Sequence, residues 1–254
     1  MRPIHAPARA LSLLIPFALL AWTPAAQEAA AARRPTQGDA DLIFVLLKAG
    51  TPKEKRTAEE STKLQAAHLA NIRKLADEGS LVLAGPFGPG GDPATRGLFV
   101  FDVPNIADAE RLTETDPAVK AGTLVLEAFP MRATAALRTL GDLEKESAAT
   151  RPAPASGPAG FQIRAYTYLV ADDADRADRA LAPLRSARRV CLFGRLGGAM
   201  AGKAIVVLDA KDAAAAESLL APVKSELGAF SMRTWYATPN LTRIHEAAAT
   251  RASR

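Results

Sequence analysis

The chain has 254 residues, 48% of them hydrophobic and 23% charged, which is enough apolar material for one large domain or two modest ones. Its formal charge of +5 comes from 32 basic and 27 acidic residues that are interspersed, so we expect no nucleic-acid interface. The single cysteine excludes an intrachain disulfide, and three histidines without metal-ligand spacing lead us to expect no metal site and no cofactor.

Residues 1–32 have the pattern of a secretory signal peptide and a flexible start. Arg2 and Arg9 precede the apolar run Leu11–Trp22, and small residues follow it. A run of about a dozen residues is short for a bilayer span, so the pattern predicts cleavage, with an uncleaved anchor as the alternative. We expect a mature chain that begins between about Ala26 and Arg33, is periplasmic or secreted, and has no membrane segment.

The sequence pattern over residues 41–132 predicts one compact unit. Strand-like runs and helical patterns alternate in the order β-α-β-β-α-β, with strands over 41–50, 80–87, 98–103 and 123–131 and helices over 58–78 and 104–115. This is the order of a ferredoxin-like unit, in which an antiparallel sheet carries two helices on one face.

His68 lies in the middle of the apolar face of the first predicted helix. At about 100° per residue it falls between Leu64 and Ile72, whereas Arg73 and Asp77 occupy the polar face. A partly buried imidazole needs a hydrogen-bond partner and titrates near neutral pH. His68 is therefore a candidate for proton transfer, and a hydrogen-bonded core histidine is the alternative.

A Gly/Pro-rich turn follows the second strand. Gly85, Pro86 and the run 88–91 predict a loop that closes over a small ligand or is a plain turn. No helix begins at its end, which excludes a phosphate-binding loop. Asp92 on this loop is one candidate carboxylate partner for His68, and Arg96 is either a ligand for an acidic substrate or an exposed arginine.

The second half of the chain repeats the same order. Residues 133–160 combine a helix-prone segment, expected to pack on the first unit, with a linker rich in Pro, Ala, Gly and Ser. Residues 161–240 then read as a degenerate copy, because 83–85 aligns with 192–194 and 125–127 with 231–233. Residues 241–254 are expected to be a solvated tail. Cys191 is interpreted as a small buried hydrophobe, and alternation predicts that one of Trp235 and Tyr236 faces inward.

The residues around His68 resemble the YCII-related domain family. His68-Leu69, the segment Leu83–Phe87 and the segment Asp116–Gly122 occur in that order, whereas the second copy has Ala177 near the position of the histidine. The resemblance implies a dimeric α/β barrel and a His/Asp active-site pair, carried here onto His68 and Asp116. The alternative for Asp116 is that it only turns the chain before Pro117.

The expected fold is therefore α+β, with two ferredoxin-like βαββαβ units forming an intrachain dimeric α/β barrel. We expect a monomer that replaces the family's homodimer by pairing its own two units. The resemblance implies an exported small-molecule lyase or isomerase that uses His68 and Asp116 as an acid–base pair. A non-catalytic module that binds a small ligand or is structural is the alternative, and the second unit, which lacks the histidine, is expected to be structural.

Overall fold

The computed structural model describes residues 34–52, 55–150 and 162–252. The predicted signal peptide and most of the predicted linker lie outside these residues. The first unit consists of β1 (Asp39–Ala49), α1 (Ala58–Asp77), β2 (Leu81–Pro86), β3 (Thr95–Phe101), α2 (Ile106–Thr113), α3 (Pro117–Lys120) and β4 (Leu124–Thr134), and it is followed by α4 (Leu140–Ala149). The second consists of β5 (Arg164–Ala171), α5 (Ala174–Ala180), α6 (Ala182–Ser186), β6 (Val190–Leu196), β7 (Ala204–Leu208), α7 (Ala213–Leu220), α8 (Lys224–Leu227) and β8 (Phe230–Ala237), and it is followed by α9 (Ile244–Ala252).

All eight strands belong to one antiparallel sheet, in the order β2-β3-β1-β4-β6-β7-β5-β8. Each half of this order is that of a ferredoxin-like unit. The units join where Met131–Ala133 pairs with Gly194–Leu196, and an isolated bridge between Phe87 and Trp235 links the two outer strands. The sheet thereby closes into a near-barrel within one chain, which confirms the predicted α+β class and the intrachain α/β barrel.

Alternation along the strands divides the apolar side chains between the barrel interior and the helix side of the sheet. On β1, Leu42 and Phe44 point into the barrel, whereas Ile43 and Val45 belong to the cluster beneath the helices. Both units fill the interior, and its largest member, Trp235, is fully buried beside the partly exposed Tyr236, as alternation predicts. A packed interior leaves the helix side of the sheet as the place for a cleft.

The end of the chain is a packed helix, so the prediction of a solvated tail was wrong. A 3-10 turn at Pro239–Arg243 leads into α9, and Leu241, Ile244 and Ala248 are buried against α4 and the 3-10 turn at Ala135–Thr139. These three apolar residues form a narrow stripe among alanines and arginines, which hides its amphipathic character in the sequence. The helix-prone segment after β4 contacts β2 of the first unit, as expected, and also α9.

Both units end in the same way. The side-chain oxygen of Thr134 accepts a hydrogen bond from the amide of Ala136, and that of Thr238 accepts one from the amide of Asn240. Each threonine therefore caps a 3-10 turn that leads into a helix. Within the part of the chain that the structure describes, no helix combines the length and hydropathy needed to cross a membrane.

Candidate active-site cleft

Helix α1 stands away from the sheet that it covers. It begins at a capping box, in which the Thr57 side chain accepts from the Glu60 amide and the Glu60 carboxylate accepts from the Thr57 amide. Of its 20 residues only Leu75 is buried. A cleft of about 1770 Å³ therefore runs between α1, the helix side of β1–β3 and α4, and His68 is among the residues that line it.

Asp116 is held rigidly at the start of α3. Its Oδ1 accepts a hydrogen bond of 2.8 Å from the amide of Ala118, and the side chain thereby caps the helix. The helix closes at Gly122, whose φ of 67° suits glycine, and the amides of Gly122 and Thr123 bond back to carbonyl groups of the same short helix. Asp116 therefore caps α3 with Oδ1, and Oδ2 is left for a second partner.

That second partner is His68. The Nδ1 atom of His68 lies 2.6 Å from Oδ2 of Asp116, and the side chains are 12% and 1% exposed. The imidazole also lies nearly parallel to the ring of Phe99, with 6.3 Å between ring centroids. Among the described residues, Nε2 has no hydrogen-bond partner. A neutral ring that donates from Nδ1 to the carboxylate presents Nε2 as a proton acceptor, and the buried carboxylate stabilises the imidazolium once Nε2 has taken a proton.

Three further hydrogen bonds fasten α1 and the residue just before it to the segment around α3. The Thr115 hydroxyl donates to the side-chain oxygen of Asn71 at 3.1 Å, and the Arg56 guanidinium, just before the helix, donates to the Thr123 hydroxyl and to the Ala121 carbonyl at 3.1 and 3.0 Å. The helix is therefore positioned by polar contacts across the cleft more than by apolar packing on the sheet. Sequence reasoning missed Arg56 and Asn71, because each partner lies more than 40 residues away.

Gly85 and Pro86 line the cleft, but the glycine has a structural explanation that the sequence did not reveal. A Cβ atom on Gly85 would overlap the carbonyl oxygen of Tyr236 and lie 2.9 Å from the Trp235 ring. The indole Nε1 of Trp235 donates to the Gly85 carbonyl at 3.0 Å. Glycine is needed here because β8 of the second unit packs directly on this backbone.

Asp92 is not the partner of His68, and that prediction was wrong. Its carboxylate accepts hydrogen bonds of 2.8 Å from the Ala94 amide and the Thr95 hydroxyl, and these bonds lower its pKa. The loop is tied to the second unit, because Arg233 donates to the carbonyls of Asp92 and Gly88. Asp92 is not among the described residues that line the cleft, and its loop fastens the two units together rather than covering the cleft.

Arg96 lines the cleft and is exposed. Within the described residues its guanidinium has neither a hydrogen bond nor an ion pair, so it retains an uncompensated charge. Both interpretations made from the sequence, an exposed arginine and a ligand for an acidic substrate, are compatible with this placement.

The second unit has no counterpart of this site. Ala177, near the position of His68, is fully buried with Ala174 and Ala180, so α5 packs directly on its sheet. Arg195 lies at the position that corresponds to the Ala84–Pro86 end of β2 in the first unit, and it forms ion pairs with Asp175 and with another aspartate of α5. Small side chains and ion pairs thus fill the space that forms the cleft in the first unit.

Other chemistry in the described residues is limited. No group of three or more His, Cys, Asp or Glu side chains lies close enough there to hold a metal ion. Cys191 is 3% exposed, and burial raises the pKa of its thiol to about 12. It is a small buried hydrophobe, as predicted, and not an activated nucleophile.

The fold and this cleft define a small-molecule-binding or catalytic α/β barrel. Residues 43–132, within the first unit, match the family model of the YCII-related domain, which confirms the resemblance for this part of the chain. A comparison with curated proteins finds no significant match.

A comparison with solved structures finds chains that are similar at low sequence identity. A candidate monooxygenase from Lactobacillus acidophilus NCFM is 11% identical, with 78% of this chain and 97% of that chain covered and a TM-score of 0.45. The siroheme decarboxylase NirDL is 8% identical, with 86% of this chain and 81% of that chain covered and a TM-score of 0.40.

Proposed function

We propose that the chain is a small-molecule enzyme of the lyase or isomerase type in which His68 transfers a proton. One observation carries the proposal: a buried Asp116 carboxylate holds Nδ1 at 2.6 Å, and Nε2 has no partner within the described residues although His68 lines the cleft. This arrangement orients the ring and favours the tautomer with an unprotonated Nε2, as a histidine that acts first as base and then as acid requires.

The proposed reaction begins at an acidic C–H bond of the bound molecule. Nε2 accepts the proton, the C–H electron pair becomes an enolate or an adjacent double bond, and Asp116 stabilises the imidazolium. Return of the proton to another carbon completes an isomerisation. Departure of a leaving group with its electron pair gives an elimination, which is complete once Nε2 passes its proton to the leaving group or to water. Both outcomes are redox-neutral, and the proton alone passes through the histidine.

Proton exchange with solvent tests the proposal without knowledge of the natural substrate. The purified protein is incubated in D₂O with a panel of small carbon acids, and loss of C–H signals is followed by ¹H NMR. We expect exchange with at least one compound, a decrease of about 10²–10⁴-fold for His68→Gln, and a decrease of about 10–100-fold for Asp116→Asn, which keeps an N-cap but alters the partner of Nδ1.

Asp212→Asn is the matched control for Asp116→Asn. Asp212 caps α7 through a 2.8 Å bond from the Ala215 amide and belongs to the second unit. Both variants exchange the same side chain at a helix N-cap, but only one of them touches His68. Equal exchange rates in folded wild type and His68→Gln would contradict the proposal.

A ligand-binding module without chemistry is the second candidate. The cleft of about 1770 Å³ is larger than the roughly 300–1,000 Å³ of most small-molecule sites, so it has room for a ligand that does not touch His68. Compounds that bind the wild-type cleft but never exchange protons, with or without His68, would favour this second function.

We also propose that the protein is exported and that its mature form is a monomer. The N-terminal sequence supports export, and N-terminal sequencing of the protein from its native compartment tests it, since a soluble cytoplasmic species with an intact Met1 would contradict it. Pairing of the two units through β4 and β6 supports the monomer, and light scattering coupled to size exclusion should give one chain per particle.

A further inference from the structure

We infer that the ligand of the cleft is an amphipathic organic carboxylate, with its carboxylate on Arg96 and its apolar body between α1 and the sheet. The inference rests on the proposed function for the location of the site and adds the chemical class of the molecule. It is carried by the charge of the cleft, by the apolar face of α1 and by the separation of Arg96 from His68.

The cleft favours an anion. Among the described residues that line it, five are basic and two, Asp77 and Glu144, are acidic. The side chain of Glu144 is engaged by Thr238 and Asn240 of the second unit. The Arg56 guanidinium bonds only to a neutral hydroxyl and a carbonyl, and Arg96 has no partner within the described residues. Arginine presents a planar fork that matches a carboxylate with two parallel hydrogen bonds.

The rest of the cleft favours an apolar body. The face of α1 that a helix of this length would normally bury instead lines the cleft, with Leu64 and Ile72 only partly buried and Leu69 37% exposed. Phe99 and Ala84 supply the opposite wall from the sheet. Lining residues extend along α1 from Ser61 to Asp77, about 24 Å at 1.5 Å per residue, which suits an elongated molecule.

The position of Arg96 sets the distance between the carboxylate and the reacting carbon. Arg96 precedes Phe99, whose ring stacks on His68, by three residues on β3, which is about 10 Å along the strand axis. Alternation alone would turn these two side chains to opposite faces, but Arg96 is the extra residue of a β-bulge, and both residues line the cleft. A molecule bound through its carboxylate at Arg96 therefore reaches Nε2 with carbons several bonds from that carboxylate. This geometry disfavours the smallest acids, whose acidic C–H bond is adjacent to the carboxylate.

Binding of four probes to the full-length protein tests the class of ligand. Calorimetry with octanoate, acetate, 1-octanol and octyl phosphate separates the contribution of the head group from that of the chain. We expect octanoate to bind at least tenfold more tightly than acetate or 1-octanol. Arg96→Gln should weaken octanoate binding about 10–100-fold, the loss expected for hydrogen bonds between charged groups, and leave 1-octanol unchanged.

Arg111→Gln is the matched control, because Arg111 is an exposed arginine of α2 that is paired with Asp108 outside the cleft. It should change octanoate affinity less than twofold. Unchanged octanoate binding in Arg96→Gln, or equal affinity for 1-octanol, would overturn the inference. Tighter binding of octyl phosphate than of octanoate would assign the cleft to phosphate esters and overturn the carboxylate class.

The inference and the proposed function fail separately. Octanoate binding requires no proton transfer, so binding and proton exchange are measured independently. If His68→Gln keeps wild-type proton exchange while octanoate binding still depends on Arg96, the acid–base proposal falls and the carboxylate class stands. If exchange depends on His68 but octanoate binding does not depend on Arg96, the class of ligand is wrong and the acid–base proposal stands.

Discussion

Gly85→Ala should destabilise the protein strongly, although the change is one methyl group at a position first interpreted as substrate-binding. The added Cβ would overlap the Tyr236 carbonyl oxygen and lie 2.9 Å from the Trp235 ring, and neither can retreat easily. The backbone of β8 is held by its pairing with β5, and Trp235 is fully buried in the barrel interior. The second unit must therefore move away from β2.

The expected decrease in the free energy of unfolding has two contributions. Overpacking of a well-packed core by one methyl group costs about 1–3 kcal/mol. Displacement of the Gly85 carbonyl from Trp235 Nε1, now 3.0 Å away, leaves a buried indole N–H unpaired at a further cost of about 1–3 kcal/mol. A total of about 2–6 kcal/mol is a large part of the 5–15 kcal/mol that stabilises most domains, and at about 2–4 °C per kcal/mol it should lower Tm by roughly 5–20 °C.

Urea unfolding followed by circular dichroism measures this loss, and Gly141→Ala is the control. Gly141 lies within α4, and a Cβ there meets no atom within 4 Å. The same substitution should therefore stabilise that helix by up to about 1 kcal/mol. If Gly85→Ala unfolds at the wild-type urea concentration and instead weakens ligand binding, then the substrate-binding interpretation is right and the packing argument is refuted.

Two further predictions concern buried groups away from the cleft. Cys191 should resist a thiol reagent such as DTNB at pH 8 in the folded protein and react fully in urea. The reason is that burial raises the pKa of its thiol to about 12. Rapid labelling of the native protein would contradict this prediction. Asp102→Asn should destabilise the protein by about 3–5 kcal/mol in thermal melts, since the buried carboxylate pairs with Arg138 and Arg34. The control, Glu59→Gln in an exposed pair with Lys63, should cost no more than about 0.5 kcal/mol.

Local patterns were sufficient to predict the eight strands and the direction of His68, but not the helices α3 and α9. Strand alternation separates the two faces of the sheet, and the helical period brings an imidazole to the face of α1 that lines the cleft. The partner of His68 could not be found in this way, because Asp116 lies 48 residues further on and its position depends on how α3 packs beside α1. The family resemblance supplied Asp116, whereas loop position alone suggested Asp92, which the structure does not place in the cleft.

The errors at Gly85 and Asp92 share one physical cause, which is that contacts between the two units leave little trace in local sequence. The Gly85 carbonyl and the Trp235 indole are 150 residues apart, yet their contact explains the glycine. Arg233 likewise fastens the loop of Asp92 from the other unit. A diverged tandem origin of the units remains a prediction, supported by their common strand order and by the threonine caps at Thr134 and Thr238.

The helices that cover the sheet differ between the units in a way that should be visible in solution. Helix α1 buries one of its 20 residues, whereas α5 buries three of seven, so apolar packing holds α5 down far more firmly. Local opening is easiest where little apolar surface is buried. We therefore expect amides in the first three turns of α1 to exchange with D₂O faster than those of α5.

Ligand binding should reduce this difference in amide exchange between α1 and α5. A molecule that occupies the cleft supplies apolar contacts that α1 lacks without a ligand. It stabilises the exchange-protected form of the helix by RT ln(1 + [L]/Kd). Octanoate at 100 times its Kd should therefore slow amide exchange in α1 by up to about 100-fold. Exchange in α5 should not change, because its side chains already fill the equivalent space. Hydrogen exchange read by mass spectrometry resolves the two helices as separate peptides. If the amides of α1 without ligand are as protected from exchange as those of the central strands, more than polar contacts holds the helix in place. Weak packing of α1 would then not explain the width of the cleft.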